Sequence, residues 1–307
     1  MKNNFKFLIV LAILLAGCIC VGSTFAAEIT VDDVNSIDDV SSVDNVNSID
    51  NTKNMEIAHD DSSQKEDINQ LRAGEGNFTE LRNLIQNATG DSVYLNKDYC
   101  YVEGDGLESI QIRSSLTING NGHKINAFGF DTPIFFICNL KDNILVDFSN
   151  ITFVNSSDSA IYFTNNGVVE YCNFINCHST FDGGAIKFYG DYGIIYTSTF
   201  NNCSAKNGGA VYWQKGYSGI GRSIHCSFVN CSAVECGGAI YCGEDNEPGS
   251  FHDFNFTNCS AKNGGAIYSQ KLIFIYTASF NSCSASDKGG AIYISNTNYC
   301  FSSSVTR

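Results

Sequence analysis

The chain has 307 residues, with 18 Lys and Arg against 32 Asp and Glu, for a formal net charge of −14. Such a surface repels phosphate backbones and anionic lipid, which excludes nucleic acid and the membrane surface as natural partners. With 28 Gly, 2 Pro, abundant Asn and Ser and only 16% charged residues, the composition argues against a helical bundle and fits a β-rich chain with many tight turns.

Lys2 and Lys6, followed by the apolar run from Phe7 to Leu15, read as an export signal. Thr24-Phe25-Ala26 fits cleavage after Ala26. Leu15-Ala16-Gly17-Cys18 also resembles a lipobox, which would lipidate Cys18. Cleavage is preferred, because apolar residues continue to Val21. The run is short for a retained transmembrane helix. Residues 1–26 are therefore expected to be removed, leaving a secreted or cell-surface protein of the outer membrane or cell envelope. No later apolar stretch has spanning length, so no C-terminal membrane anchor is expected.

Residues 27–76 carry 13 acidic and 3 basic residues, and Val or Ile recurs at 31, 34, 37, 40, 43, 46 and 49. A period of three drifts around a helix and fails the alternation of a strand. The expectation is a disordered, self-repelling acidic stalk. Phe78, Leu81, Leu84, Ile85 and Ala88 then fall at helical spacing. Asn77 is placed to cap, Glu80 completes a capping box and Gly90 stops the run. This predicts a helix over 78–89, covering the open end of a β domain that spans 77–307.

Short β-like runs follow at Val93–Leu95, Ile110–Ile112, Leu116–Ile118 and Ile125, with a turn at Asn119-Gly120-Asn121-Gly122. His123, beside that turn, reads as a packed or capping group rather than a base.

From about residue 147 the chain repeats. Phe174, Phe200, Phe228, Phe256 and Phe280 head matching segments 26, 28, 28 and 24 residues apart, each followed by a Gly-Gly-Ala-Ile or Gly-Gly-Ala-Val block. Phe153 and Ala160-Ile161 mark an earlier, degenerate copy. The unit contains no helical pattern and is shorter than a propeller blade. It fits one coil of a right-handed parallel β-helix, a solenoid whose turns absorb length differences. The residue before each Phe (Asn173, Thr199, Ser227, Asn255, Ser279) is polar, so the Phe column points inward. Lys187 stands in line with Tyr162, Tyr212, Tyr241, Tyr268 and Tyr293, and lysine avoids a dry core. That column is expected on the outer face, with Ile161, Ile186, Val211, Ile240, Ile267 and Ile292 facing in.

Asn176, Asn202, Asn230 and Asn258 form a further column and read as a hydrogen-bonded ladder at left-handed turns. The paired glycines imply turns with positive φ. Cys177, Cys203, Cys231, Cys259 and Cys283 line up after the asparagines. Coils about 4.8 Å apart place them within disulfide reach, so packed thiols and adjacent-coil disulfides are both open. No Cys-x2-Cys pair occurs, so no metal or other cofactor is expected. Eight Asn-x-Ser/Thr sequons include three of the ladder asparagines, where a glycan would not fit.

The Phe-x-Asn and Gly-Gly-Ala-Ile blocks resemble those of the chlamydial polymorphic outer membrane proteins. The wider layout is similar to adhesin-like surface proteins of methanogenic archaea: a signal peptide, a polar stalk, a helix, a Gly-x-Gly-His turn at Gly120–His123 and such repeats. The resemblance implies a pectate-lyase-like β-helix at the cell surface. It departs from the chlamydial pattern in having no autotransporter-type barrel after the repeats.

The expected function is therefore adhesin-like binding of cells, glycans or other surface proteins, with the Tyr column as the binding face. The plainer reading of that column is cross-strand stacking that only stabilises the sheet. A polysaccharide lyase or hydrolase is one alternative and a passive wall scaffold the other. His178, Asp182 and Asp191 are the nearest to a catalytic cluster, but the other repeats do not support them, so no catalytic residue is assigned. An uncapped last coil would expose a β edge, and self-association through it is expected.

Overall fold

The computed structural model describes residues 71–139, 143–216, 222–246, 249–271 and 273–296. The expected signal peptide and most of the stalk lie outside these residues. Among the described residues, no helix is long and apolar enough to cross a membrane.

Each coil runs through short strands that join different sheets. In one coil Gly193–Tyr196 leads to Thr199–Asn201, then Ser204–Asn207, then Val211–Gly216. Stacking of coils makes three long parallel sheets. Sheet A has nine strands, from Gly76–Asn77 to Ala278–Asn281. Sheet B has eight, from Ser92–Tyr94 to Ile273–Ile275. Sheet C also has eight, from Ile110–Ile112 to Ile292–Ile294. Sheet D has four, from Ser204–Asn207 to Ser284–Lys288, and lies between A and C in the later coils. The fold is a parallel β-helix, as the repeat implied.

The strands stay short because left-handed residues end them. In the coil above, Thr197 has φ 42°, Asn202 φ 53° and Gly208 φ 58°. Asparagine tolerates this conformation better than most side chains, and Asn155, Asn176, Asn202, Asn230 and Asn258 all adopt it at the same corner. Their amides also bond along the stack: Asn176 Nδ2 donates to Asn155 Oδ1 at 3.2 Å, Asn202 to Asn176 at 2.8 Å and Asn258 to Asn230 at 3.2 Å. The ladder extends to Asn126, outside the recognisable repeats.

The two glycines of each pair have different tasks. Gly208 supplies the positive φ. Gly209 supplies room, since a Cβ there would lie 2.1 Å from the Gly238 oxygen of the next coil.

The core is a set of columns in register. Phe153, Phe174, Phe200, Phe228, Phe256 and Phe280 pair one above another, with ring centroids 4.6–5.1 Å apart. Burying each ring contributes about 1.5–3 kcal/mol, and near-parallel stacking about 0.5–1.5 kcal/mol more. On sheet C the Ile161–Ile292 column faces in as expected. Beside it Phe163, Phe188 and Trp213 form a second inner stack.

The N-terminal helix α1 spans Phe78–Gln86, three residues shorter than the pattern predicted. It stops where Asn87 leaves helical geometry (φ −92°, ψ 10°), well before Gly90. Phe78, Leu81 and Ile85 are buried, and the helix packs against Gly76–Asn77, Tyr99–Cys100 and Ile110–Ile112, closing the first coil. Asn77 does cap it, accepting from the Glu80 amide at 2.8 Å. Glu80 does not complete the box; its carboxylate pairs with Lys97 at 2.6 Å. Buried Asp105 is the second cap, accepting from the Phe78 and Thr79 amides at 3.0 Å. At the far end Phe280, Ile292 and Ile294 are only partly buried, unlike their equivalents in earlier coils.

Candidate binding face

Along each sheet C strand the first and third residues point into the solenoid and the middle one points out. In Val211-Tyr212-Trp213, Val211 and Trp213 are core residues and Tyr212 is the outward one. Tyr162, Lys187, Tyr212, Tyr241, Tyr268 and Tyr293 are in register along this face. The outward direction was read correctly, but the ground for it needs correction. Lys187 is 6% exposed, and so is not on an open surface. Its ammonium lies 2.6 Å from Asp158 Oδ1 and 5.8 Å from the ring centres of Tyr162 and Phe181. The Ser179 hydroxyl donates to the same Asp158 oxygen at 2.9 Å. Nor is the Tyr column fully exposed: Tyr212 is buried and the other four are partly buried. Neighbouring rings cover one another: Tyr212 lies 5.7 Å from Tyr189 and 4.8 Å from Tyr241, and its hydroxyl donates to Gln214.

Lys187 interrupts the column but not the aromatic row. Tyr189, two residues on and so on the same face, brings its ring 5.3 Å from Tyr162 and 5.7 Å from Tyr212. Phe136 extends the row at the other end, 5.1 Å from Tyr162. Seven rings thus run from Phe136 to Tyr293 in steps of 4.8–5.7 Å. Sequence reading missed Tyr189 and Phe136. The period-two alternation carried the first, whereas the coil of Phe136 lacks the repeat motif. Tyr212, Tyr241 and Tyr268 stack within 10° of parallel, so their faces cover one another, and the Tyr212 hydroxyl donates to Gln214. Burial, joined by nearby Asp158, raises the Tyr162 phenol above its ordinary pKa. Burial likewise raises Tyr189, Tyr212 and Tyr241, keeping these hydroxyls neutral.

A polar row runs beside the rings. The residues just before each glycine pair are Asp182, Asn207, Cys236, Asn263 and Lys288. Asn207, Cys236, Asn263 and Lys288 are paired in register across sheet D. Asn207 Nδ2 donates to Asp182 Oδ1 at 2.9 Å. Lys288 Nζ lies 5.7 Å from the Tyr293 ring centre.

The cysteine column is placed inside, at the corner between sheets A and D. Cys177, Cys203, Cys231 and Cys259 are fully buried, Cys283 partly so, and the eleven described cysteines are free thiols. Each column thiol lies within hydrogen-bond reach of a carbonyl two residues back, as Cys203 Sγ does of Asn201 O at 3.7 Å. Burial pushes Cys203 well above the ordinary thiol value. It pushes Cys172, Cys226 and Cys242 to about 12.

His178, Asp182 and Asp191 are not brought together as a cluster. His178 Nδ1 is 2.7 Å from Ser204 Oγ, while Asp182 holds Asn207. Asp182 precedes strand Ile186–Phe188 and Asp191 follows it. His123 pairs with Asp98 at 3.1 Å. Burial pushes the Asp98 carboxyl up, but the Lys124 amide and His123 outweigh it and hold the group below its ordinary value. Among the described residues, no group of three or more His, Cys, Asp and Glu is arranged to hold a metal ion.

Comparison with protein-family models, with curated proteins and with solved structures gives no match.

Proposed function

We propose that this chain is an exported, adhesin-like surface protein that holds a cell-surface glycan or protein against the outer face of sheet C. The observation that supports this reading is the unbroken aromatic row flanked by a polar row, which together place ring edges and polar side chains at regular spacing. Interaction surfaces favour such side chains because one end is apolar and the other hydrogen-bonds. The repeat blocks, the export signal and the acidic stalk of the sequence agree with a surface location.

The test incubates the full chain with whole cells and insoluble polysaccharides, measuring retained protein and released sugar ends. Retention by the native protein, lost in a folded Tyr241→Ala/Tyr268→Ala variant, is the expected result. Equal retention by that variant removes sheet C as the binding face. Release of sugar ends would instead make the protein a polysaccharide-cleaving enzyme.

A further inference from the structure

We infer that the sheet C strip takes a linear, uncharged polysaccharide lying along the solenoid axis; this rests on the reading of sheet C as the binding face. Three observations select that ligand class.

Spacing comes first. The rings advance in steps of 4.8–5.7 Å over seven rungs from Phe136 to Tyr293. An extended pyranose chain advances by a similar distance per sugar, so each sugar meets an equivalent rung. A peptide strand advances about 3.3 Å per residue, or about twice that between side chains on one face. It falls out of phase with the rungs within a few residues.

Charge is the second. The strip is close to neutral: Lys187 is matched by Asp158, and burial keeps the phenols of Tyr162, Tyr189, Tyr212 and Tyr241 un-ionised. The β domain, residues 77–307, carries 13 basic and 19 acidic residues and so disfavours polyanions. A glycan without carboxylates or sulfates meets neither repulsion nor an unpaired charge.

Geometry is the third. Because the central rings are stacked on each other, they offer edges rather than free faces. Asn207, its Nδ2 held by Asp182, adds a polar group beside the same line. The strip therefore meets successive sugars along a chain at equivalent rungs rather than one sugar or a chain end. The consequence is length dependence.

The experiment titrates the full chain with β-1,4-linked oligomers of glucose, mannose, xylose and N-acetylglucosamine, from disaccharide to octasaccharide, at low and high salt. For at least one series, Kd should fall several-fold per added sugar until the rungs are filled, with little salt dependence. The folded Tyr241→Ala/Tyr268→Ala variant should lose that gain. Binding that ignores chain length, or that is confined to acidic oligomers in a parallel titration, overturns the proposal. So does retention on cells with no oligomer bound, which leaves sheet C as a face for a protein partner. If neither cells nor oligomers are bound, both readings fall.

Discussion

Lys187 Nζ and Asp158 Oδ1 meet at 2.6 Å across adjacent coils, and each residue is a departure from the repeat. Lys187 stands where other coils place a tyrosine, and Asp158-Ser159 stands where they place Gly-Gly. Two irregularities that look unrelated in the sequence are one interaction in the fold. Their side chains are 8% and 21% exposed, so removing one partner leaves a charge with little water around it. Lys187→Ala should cost near the lower end of the ~3–5 kcal/mol typical of broken buried pairs. The double variant Asp158→Ala/Lys187→Met should recover most of it. Urea midpoints of the three proteins check both statements, and equal losses in single and double variants would refute the pairing.

Phe200 lies in the middle of the inward stack, 4.8 Å from Phe174 and 4.6 Å from Phe228. Phe200→Ala should destabilise by about 3–5 kcal/mol, because neither neighbouring ring can fill the gap without leaving its own coil. Chemical denaturation reads the loss directly; a change below 1 kcal/mol would mean that the stack relaxes.

The second glycine of each pair should matter only where another coil lies above it. A Cβ at Gly209 would meet the Gly238 oxygen at 2.1 Å, whereas at Gly290 nothing described lies within 4 Å. Gly209→Ala should lower the melting temperature sharply and Gly290→Ala hardly at all. Similar shifts for both would argue against backbone crowding as the reason for the glycine.

His178 is largely exposed, yet partial desolvation beside Ser204 still lowers its pKa, so the native state holds it neutral slightly below the point at which the unfolded chain takes up a proton. The unfolded value is about 6.5. As pH falls through that value the unfolded state binds the extra proton and stability declines. His178→Gln should therefore flatten the stability profile between about pH 7 and pH 5. An unchanged slope in a urea–pH series would remove His178 as its source.

The interior thiols should be inert in the native protein. With Cys172, Cys226 and Cys242 pushed to about 12, the reactive thiolate is scarce at neutral pH. Burial adds a steric barrier. A charged maleimide should leave these three and Cys177, Cys203, Cys231 and Cys259 unlabelled until denaturant is added. Peptide mapping after brief labelling identifies any exception.

The columns were legible in the sequence because one side chain repeats at one position, and parallel in-register stacking turns that repetition directly into contacts. Phe200, Asn202 and Ile240 were assigned correctly for this reason. What escaped notice depended on contacts between unlike residues at long separation. Asp105 caps a helix 26 residues before it. Asp158 reaches Lys187 over 29. Exposure was also beyond reach: alternation shows that Tyr212 points outward, but only the neighbouring Tyr189 and Tyr241 rings and the bond to Gln214 reveal that it is covered. The first coils, around Ile110–Ile112 and Phe135–Ile137, fold like the rest without their motif, since any inward apolar residue satisfies the column.

Among the described residues, every strand of the three long sheets except those at the sheet ends pairs with strands one coil before and one coil after it in the chain. No contact in the ladder has to wait for a distant part of the polypeptide. Once α1 and the first coil exist, they form a finished template for the second, and each new coil becomes the template for the next. Folding can therefore proceed in the direction of synthesis, with the growing edge the only unfinished surface at any moment. A polypeptide of this design can assemble behind itself as it emerges.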